Sequence, residues 1–145
     1  MKTLMYTQDN IAYFIARVFL GIVILPHGLQ KTLGMFGGYG FSDTVNFFTA
    51  MGMPVVVAYL IIIGESLGSL GLIFGFLGRV GAFGITLTML GAIFMVHIHN
   101  GFFMNWSGNQ QGEGFEFHLL AIGLALIVLV KGSGKWSVDR AIAGS

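Results

Sequence analysis

The sequence predicts an all-α integral membrane protein, a four-helix bundle in a single domain over residues 1–145. Three observations predict it. Hydrophobic residues make up 55% of the chain and charged residues only 9%, whereas a soluble domain carries about a quarter charged residues. The mean hydropathy is +0.84. Four segments are also apolar over nearly the length, about 20 residues, that a helix needs to cross a bilayer.

The four predicted spans are residues 11–29, 54–77, 79–98 and 115–130. Pro54 begins the second span, at a first-turn position where proline removes no helical hydrogen bond. The connections between the spans are short enough that nearly the whole chain is assigned to one membrane domain.

A glycine-rich loop joins the first two spans, and glycine adopts positive φ angles without strain. We expect this loop at the outer face of the membrane, followed by a short interfacial helix from Ser42 to Met51 that Ser42 or Asp43 caps. The glycines of the loop are Gly34, Gly37, Gly38 and Gly40.

The basic residues predict the orientation, because cytoplasmic loops carry an excess of lysine and arginine. Lys31 is alone on one side of the predicted bundle. This bias predicts that both termini lie in the cytoplasm. The basic residues on the other side are Lys2, Arg79, Lys131, Lys135 and Arg140.

Composition excludes several classes of site. The net charge is +1, so the chain lacks the basic field that binds a nucleic acid backbone. With no cysteine, it can form neither a disulfide nor a thiolate metal site. Any thiol or sulfur chemistry must therefore use sulfur from a partner or a substrate.

Arg17 and Glu65 lie inside predicted spans, where an unpaired charge costs about 3 kcal/mol or more. At a rise of about 1.5 Å per residue, their predicted depths differ by about one helical turn. We therefore predict that both face the bundle interior as a buried ion pair that fixes helix register. Two alternatives are a proton-relay or ligand-binding role for Glu65 and a neutral, hydrogen-bonded Glu65.

All four histidines map to one end of the predicted bundle, which favours a shared polar site there. This is the end that carries the glycine-rich loop, and aromatic residues are abundant in the loops beside it. The residues predicted to form a ligand site at this end are His27, Gln30, Lys31, His97, His99, Phe103, Trp106, Glu116 and His118.

Three interpretations fit this cluster. Histidines beside aromatic walls could hold the head group of a quinone or another oxygen-bearing ligand. Histidines and carboxylates could bind a transition metal, but His97-x-His99 and Glu116-x-His118 do not share a helix face, so we predict no metal site. Alternatively, interfacial histidines bind only loop carbonyls and water. The sequence leaves the cofactor open.

Several ordered motifs resemble the DoxX family of small bacterial membrane proteins, over about residues 17–140. The resemblance includes Glu65 in a glycine-rich second span that ends at Gly78-Arg79. The other motifs are His27-Gly28-x-Gln30-Lys31, Gly34-x-Phe36-Gly37-Gly38-x-Gly40, Gly52-x-Pro54, His97-x-His99-x-Gly101-Phe102-Phe103 and Gly132-x-Gly134-x-Trp136-Ser137-x-Asp139-Arg140.

The resemblance implies a four-helix fold in the bacterial plasma (inner) membrane. A relative, the DoxD subunit, belongs to a thiosulfate–quinone oxidoreductase, and some DoxX proteins are associated with thiol-redox complexes. By similarity, we expect a redox-supporting subunit that links a sulfur or thiol partner to membrane quinone. Whether the chain itself catalyses a reaction is left open, because fold does not determine chemistry.

Two other functions are alternatives. One is a non-enzymatic membrane scaffold or assembly factor, and the other is a small proton-coupled carrier that uses Glu65. The expected partners are the lipid bilayer, a quinone, and a soluble redox protein or a second copy of the chain. No nucleic acid partner is expected.

Overall fold

The computed structural model describes residues 2–144, which contain helices and no β-strand. The all-α prediction is therefore confirmed. The α-helices are α1 (Lys2–Met5), α2 (Ile11–Leu33), α3 (Gly40–Ala50), α4 (Val55–Phe74), α5 (Gly78–Met95), α6 (Glu116–Lys131) and α7 (Val138–Ala143). Of these, α2, α4 and α5 are long and apolar enough to cross a membrane. The chain is a multi-pass membrane protein.

Helix α2 is longer than predicted. It begins after Asn10, whose side chain accepts a hydrogen bond from the backbone amide of Ala12 at 2.8 Å. It continues through Pro26 and ends only at Gly34, which adopts a φ of 68°. The added turn carries Lys31 on the same continuous helix as Arg17, so the two cations are rigidly separated.

Helix α4 contains a π-helical turn at Gly64–Gly68. Such turns are rare and often lie at functional sites. Ser69 compensates for the altered backbone pairing, because its hydroxyl lies 2.5 Å from the carbonyl oxygen of Glu65 and 2.8 Å from that of Ser66. The turn places both Glu65 and Ser66 among the buried residues.

The turn between α4 and α5 begins earlier than predicted. Gly75 has a φ of 68° and Leu77 a φ of 50°, both in the left-handed region. Helix α4 therefore ends at Phe74, three residues before the predicted end of the second span. Near its end, the Leu72 carbonyl accepts from the amide of Gly75 at 3.2 Å, and the carbonyls of Leu72 and Ile73 also accept from a side chain of α2 described below.

The long helices α2, α4, α5 and α6 pack around one apolar core. Close approach depends on glycine at two places. A Cβ atom on Gly28 would lie 2.7 Å from the backbone of Glu65, and one on Gly81 would lie 2.8 Å from the carbonyl oxygen of Gly68. The core includes Leu20, Ile24, Leu72, Ala82, Ile85, Met89, Ala121, Ala125 and Val128.

The bundle has two polar ends. We call the end that holds α1, the Gly75–Gly78 turn and residues 132–144 the terminal end. Its parts are joined by backbone hydrogen bonds, including Asp139 N to Gly75 O at 2.8 Å. The opposite end holds His27, His97 and His118, and we call it the histidine end.

The short helix predicted between the first two spans is present as α3. It begins at Gly40, and Tyr39 precedes it without a side-chain capping bond. The predicted cap by Ser42 or Asp43 is therefore wrong, since both residues lie inside the helix. The positive φ of Gly40, 76°, sets the direction of the chain at this start.

Candidate functional site

At the terminal end, Arg17 is fully buried, with 0% of its surface exposed. Its guanidinium donates to five backbone carbonyl oxygens. Two of them, Leu72 at 2.7 Å and Ile73 at 2.5 Å, belong to the last turn of α4. The others belong to Ser133, Lys135 and Trp136 in the C-terminal segment. Arg17 thus caps the C-terminal end of α4 and binds the segment that follows α6.

Asp139 is the acidic counterpart of Arg17 at this end. Its carboxylate accepts hydrogen bonds from the backbone amides of Leu77 at 2.7 Å and Gly78 at 2.9 Å, and from the Ser133 hydroxyl at 2.6 Å. A carboxylate at the first amides of α5 satisfies donors that have no partner within the helix and interacts favourably with the helix dipole. The contacts of Arg17 and Asp139 therefore hold α4, α5 and the C-terminal segment together at the terminal end.

At the histidine end, Glu65 is 4% exposed and pairs with Lys31. The distance from Lys31 Nζ to Glu65 Oε2 is 2.6 Å. Lys31 comes from the last turn of α2 and Glu65 from the π-helical turn of α4, so the pair joins the two helices at the edge of the cluster.

The predicted ion pair between Arg17 and Glu65 is therefore wrong, although both side chains are buried as predicted. Side chains on a helix lean toward its N-terminus. Helix α2 starts at the terminal end and α4 at the histidine end, so Arg17 and Glu65 lean away from each other. Lys31 and Glu65, by the same rule, lean together.

The rings of two histidines pack against each other beside this pair, with an angle of 41° between their planes. The ring centroids of His97 and His118 are 4.2 Å apart. His97 Nδ1 lies 2.8 Å from the carbonyl oxygen of Glu113; because a carbonyl only accepts, this nitrogen carries the proton. His118 is 7% exposed, and its Nδ1 has no hydrogen-bond partner among residues 2–144.

These groups lie at one end of a cavity of about 1160 Å³. His27, Lys31, Glu65, His97 and His118 line its polar end, and the rest of its wall is almost entirely apolar. Ligand sites in proteins are typically concave and mainly apolar, with a few convergent polar groups. This cavity has that character.

The other predicted site residues lie outside the cavity wall. Gln30 donates to the carbonyl of Phe36 at 3.3 Å and supports the glycine-rich loop. Glu116 accepts from the amide of Met104 at 2.8 Å and from Trp106 Nε1 at 3.3 Å, which orders the loop before α6. The remaining three residues are exposed: His99, Phe103 and Trp106.

Metal ligands do not converge here. Among the described residues, no group of three or more His, Cys, Asp or Glu side chains could hold a metal ion. The contact between the rings of His97 and His118 brings only two such side chains together, without a carboxylate completing the set.

Sequence reasoning missed Asp139, Ser133 and Ser66. Asp139 is 1% exposed, and the only signal for its role was its position in the C-terminal motif that resembles the DoxX family. Ser66 is buried and its hydroxyl has no partner among the described residues. No feature of the sequence marks the π-helical turn that buries it.

Comparisons with known proteins agree with the motifs. The DoxX family model matches residues 12–98. A Bacillus subtilis protein named "Putative oxidoreductase CatD" is 35% identical over 81% of this chain and 78% of its own length. The Escherichia coli "Inner membrane protein YqjF" is 29% identical over 91% of this chain and 92% of its own. No solved structure matches. The chain belongs to the DoxX family of membrane proteins.

Proposed function

We propose that this protein is a redox-supporting membrane subunit that binds a quinone head group at the histidine end. In this role it links a thiol- or sulfur-bearing partner to the membrane quinone pool. The single observation that carries the proposal is His118, a residue that lines a large apolar cavity and whose buried Nδ1 has no partner among the described residues. A buried polar atom without a partner costs about 1–3 kcal/mol, so a ligand that pairs with it gains that energy.

The residues around the cavity suit a ligand with carbonyl oxygens on an apolar ring. His118 Nδ1 and the Lys31 ammonium are the candidate donors to a carbonyl. His97 is held in one tautomer by the Glu113 carbonyl, so its Nε2 is an acceptor when the ring is neutral. Phe117 lies in the same wall and packs 6.1 Å from His27, centroid to centroid.

The redox part of the proposal requires two molecules that are not part of this chain, a quinone and a thiol- or sulfur-bearing partner. A bound quinone supplies the capacity to accept two electrons and two protons. This chain contains no cysteine, so a thiol or sulfur substrate must come from another protein or from solution. The chain's own residues would hold the ring, keep water away from it and provide proton-bearing groups at its oxygens. The name of the Bacillus relative, an oxidoreductase, supports this assignment.

The test is equilibrium binding of tail-less benzoquinone and naphthoquinone rings to the purified protein in lipid nanodiscs. We expect His118→Ala to weaken binding by about tenfold, because it removes one hydrogen bond worth on the order of 1.4 kcal/mol. His97→Ala should have a similar effect, since it removes the ring that packs against His118 and positions it.

The matched control is His99→Ala, two residues from His97 but exposed and outside the cavity wall. It should bind the quinone like the wild type. Far-UV circular dichroism and elution volume report whether each variant folds. If the wild type binds neither ring, or if all three variants bind equally well, the quinone site is disproved and a scaffold or assembly role becomes the better explanation.

We further propose four membrane crossings with both termini in the cytoplasm. Helix α6 has 16 residues, about 24 Å of helix, which is short for a hydrocarbon core of about 30 Å. It nevertheless begins at the histidine end and returns to the terminal end, where the amide of Gln8 bonds the carbonyl of Lys131 at 3.4 Å. Arg79 also binds the carbonyl of Tyr6 there, at 3.2 Å.

Single cysteines test this topology directly, because the chain has none of its own. Ser107 lies exposed in the loop before α6, and Ala141 lies exposed in α7. On intact cells, a membrane-impermeant maleimide should label Ser107→Cys at once and Ala141→Cys only after permeabilisation. Labelling of both sites on intact cells would mean an even number of crossings between them, so α6 would not span the membrane.

A further inference from the structure

The cavity extends far beyond the polar cluster as a groove between α4 and α5. Its wall follows α5 from Val96, the residue after the helix and near the histidines, to Val80 near the terminal end. At about 1.5 Å per residue this is about 24 Å, most of the thickness of a hydrocarbon core of about 30 Å. The groove is therefore long and apolar enough to hold an extended lipid-like chain. Its polar groups lie at one end only.

Two glycines keep this groove open. A Cβ atom on Gly91 would meet nothing within 4 Å, and one on Gly64 would come no closer than 3.8 Å to the Thr88 hydroxyl and 4.0 Å to the backbone of Gly84. These positions differ from Gly81, where an added Cβ would lie 2.8 Å from the Gly68 carbonyl. Gly68 and Gly81 bring the two helices together, whereas Gly64 and Gly91 leave space that a ligand can fill.

We propose that this groove holds the polyprenyl tail of the quinone, which reaches the site sideways from the bilayer between α4 and α5. The inference rests on the proposed quinone site and adds the class of ligand, an isoprenoid quinone, and its route. Three observations support it: the groove is continuous with the polar cluster, its length approaches that of the membrane core, and leucines such as Leu60 and Leu87 on its rims are exposed.

The shape of the groove, and not hydrophobic attraction to its wall, guides the quinone tail. Lipid tails are as apolar as leucine, so a tail that moves from the bilayer into the groove gains little free energy. What the groove provides is a path on which the tail stays in apolar surroundings while the ring reaches His118. Tailed and tail-less quinones should therefore bind the wild type with similar affinity when concentration is expressed per lipid.

The experiment fills the groove with Gly91→Leu and compares two ligands in nanodiscs, a quinone ring without a tail and the same ring with a polyprenyl tail. Tailed-quinone affinity should fall about tenfold or more, the effect of overfilling a packed space. Affinity for the tail-less ring should stay within about twofold, because the polar cluster is unchanged. Leu60→Trp, at a position 62% exposed, is a second variant with the same expectation if Gly91→Leu does not fold.

The matched control is Gly123→Leu. A Cβ atom on Gly123 also meets nothing within 4 Å, but this glycine lies on α6 outside the cavity wall. It should bind both ligands like the wild type. Since each variant is measured in the same lipid, partitioning of the tailed quinone into the bilayer cancels from the comparison.

Three results would overturn the proposal. If the tailed quinone binds the wild type and Gly91→Leu equally, the tail lies elsewhere, while the head-group site stands. If Gly91→Leu, but not Gly123→Leu, changes the oligomeric state measured by analytical ultracentrifugation, the groove is a seam for a helix of another chain. If the wild type binds neither ligand, the quinone site itself fails and the tail groove fails with it.

Discussion

Arg17→Met is expected to lower the free energy of unfolding by at least about 3 kcal/mol. The substitution removes five hydrogen bonds, and hydrogen bonds between transmembrane helices contribute about 0.6 kcal/mol each on average, more when charged. It also removes the side-chain donor from the carbonyls at the end of α4 and in the C-terminal segment, although the Leu72 carbonyl keeps the amide of Gly75 at 3.2 Å. Reversible unfolding by SDS in mixed micelles, followed by circular dichroism, measures the change.

The control for Arg17→Met is Lys131→Met, which removes the same charge from the same end of the bundle. Lys131 is exposed on the last turn of α6, so its loss should change the stability by less than about 0.5 kcal/mol. Equal effects of the two substitutions would show that net charge, and not the capping of α4 by Arg17, accounts for the stability.

Lys31→Met is the second substitution with a large expected effect, a loss of about 3 kcal/mol. It leaves the Glu65 carboxylate, 4% exposed, without its cation, and removing one partner of a buried pair costs on the order of 3–5 kcal/mol. The same SDS titration measures it. Because the Lys31 side chain is itself 23% exposed, the lower limit of that range is the better expectation.

A double-mutant cycle separates the pair from its individual side chains. The double variant Lys31→Met with Glu65→Gln has no buried charge at this position, so it should be more stable than Lys31→Met alone. A coupling energy of about 1.5 kcal/mol or more between Lys31 and Glu65 is expected for a contacting buried pair. Additive effects of the two changes would contradict a stabilising role for the 2.6 Å contact.

Hydropathy was sufficient to predict the four long helices and their order, because the energetic rule behind it is simple: apolar segments of membrane length become helices. It gave no sign of the short helices α1 and α7. The ends were less predictable. Pro26 did not end α2, and Leu77 did not continue α4, since its left-handed backbone belongs to the turn. Helix ends depend on capping partners, and the partner of α4 is Arg17, distant in sequence.

The pairing of the buried charges could not be predicted from depth alone. A depth estimate uses only the position of a residue along its helix axis, whereas a long side chain reaches several ångströms toward the N-terminus of its own helix. That direction separates Arg17 from Glu65 and joins Glu65 to Lys31. With directions included, the antiparallel arrangement of α2 and α4 would have been enough to choose Lys31 as the partner.

The composition of the candidate site was predicted in part. The sequence placed all four histidines at one end, and three of them, His27, His97 and His118, line the cavity. It could not exclude His99, which lies within the short 3₁₀ turn His97–Asn100 after α5 and outside the cavity wall. It also could not show the groove, which arises from the π-helical turn and from the open space beside Gly64 and Gly91.

The measurement that tests the central claim most directly is a titration of tail-less quinone against the wild-type protein in nanodiscs, with empty nanodiscs as the reference. If the histidine end is a quinone site, binding saturates at about one quinone per chain, and His118→Ala shifts the curve while His99→Ala does not. A signal that rises without saturation, as in empty nanodiscs, would contradict the account.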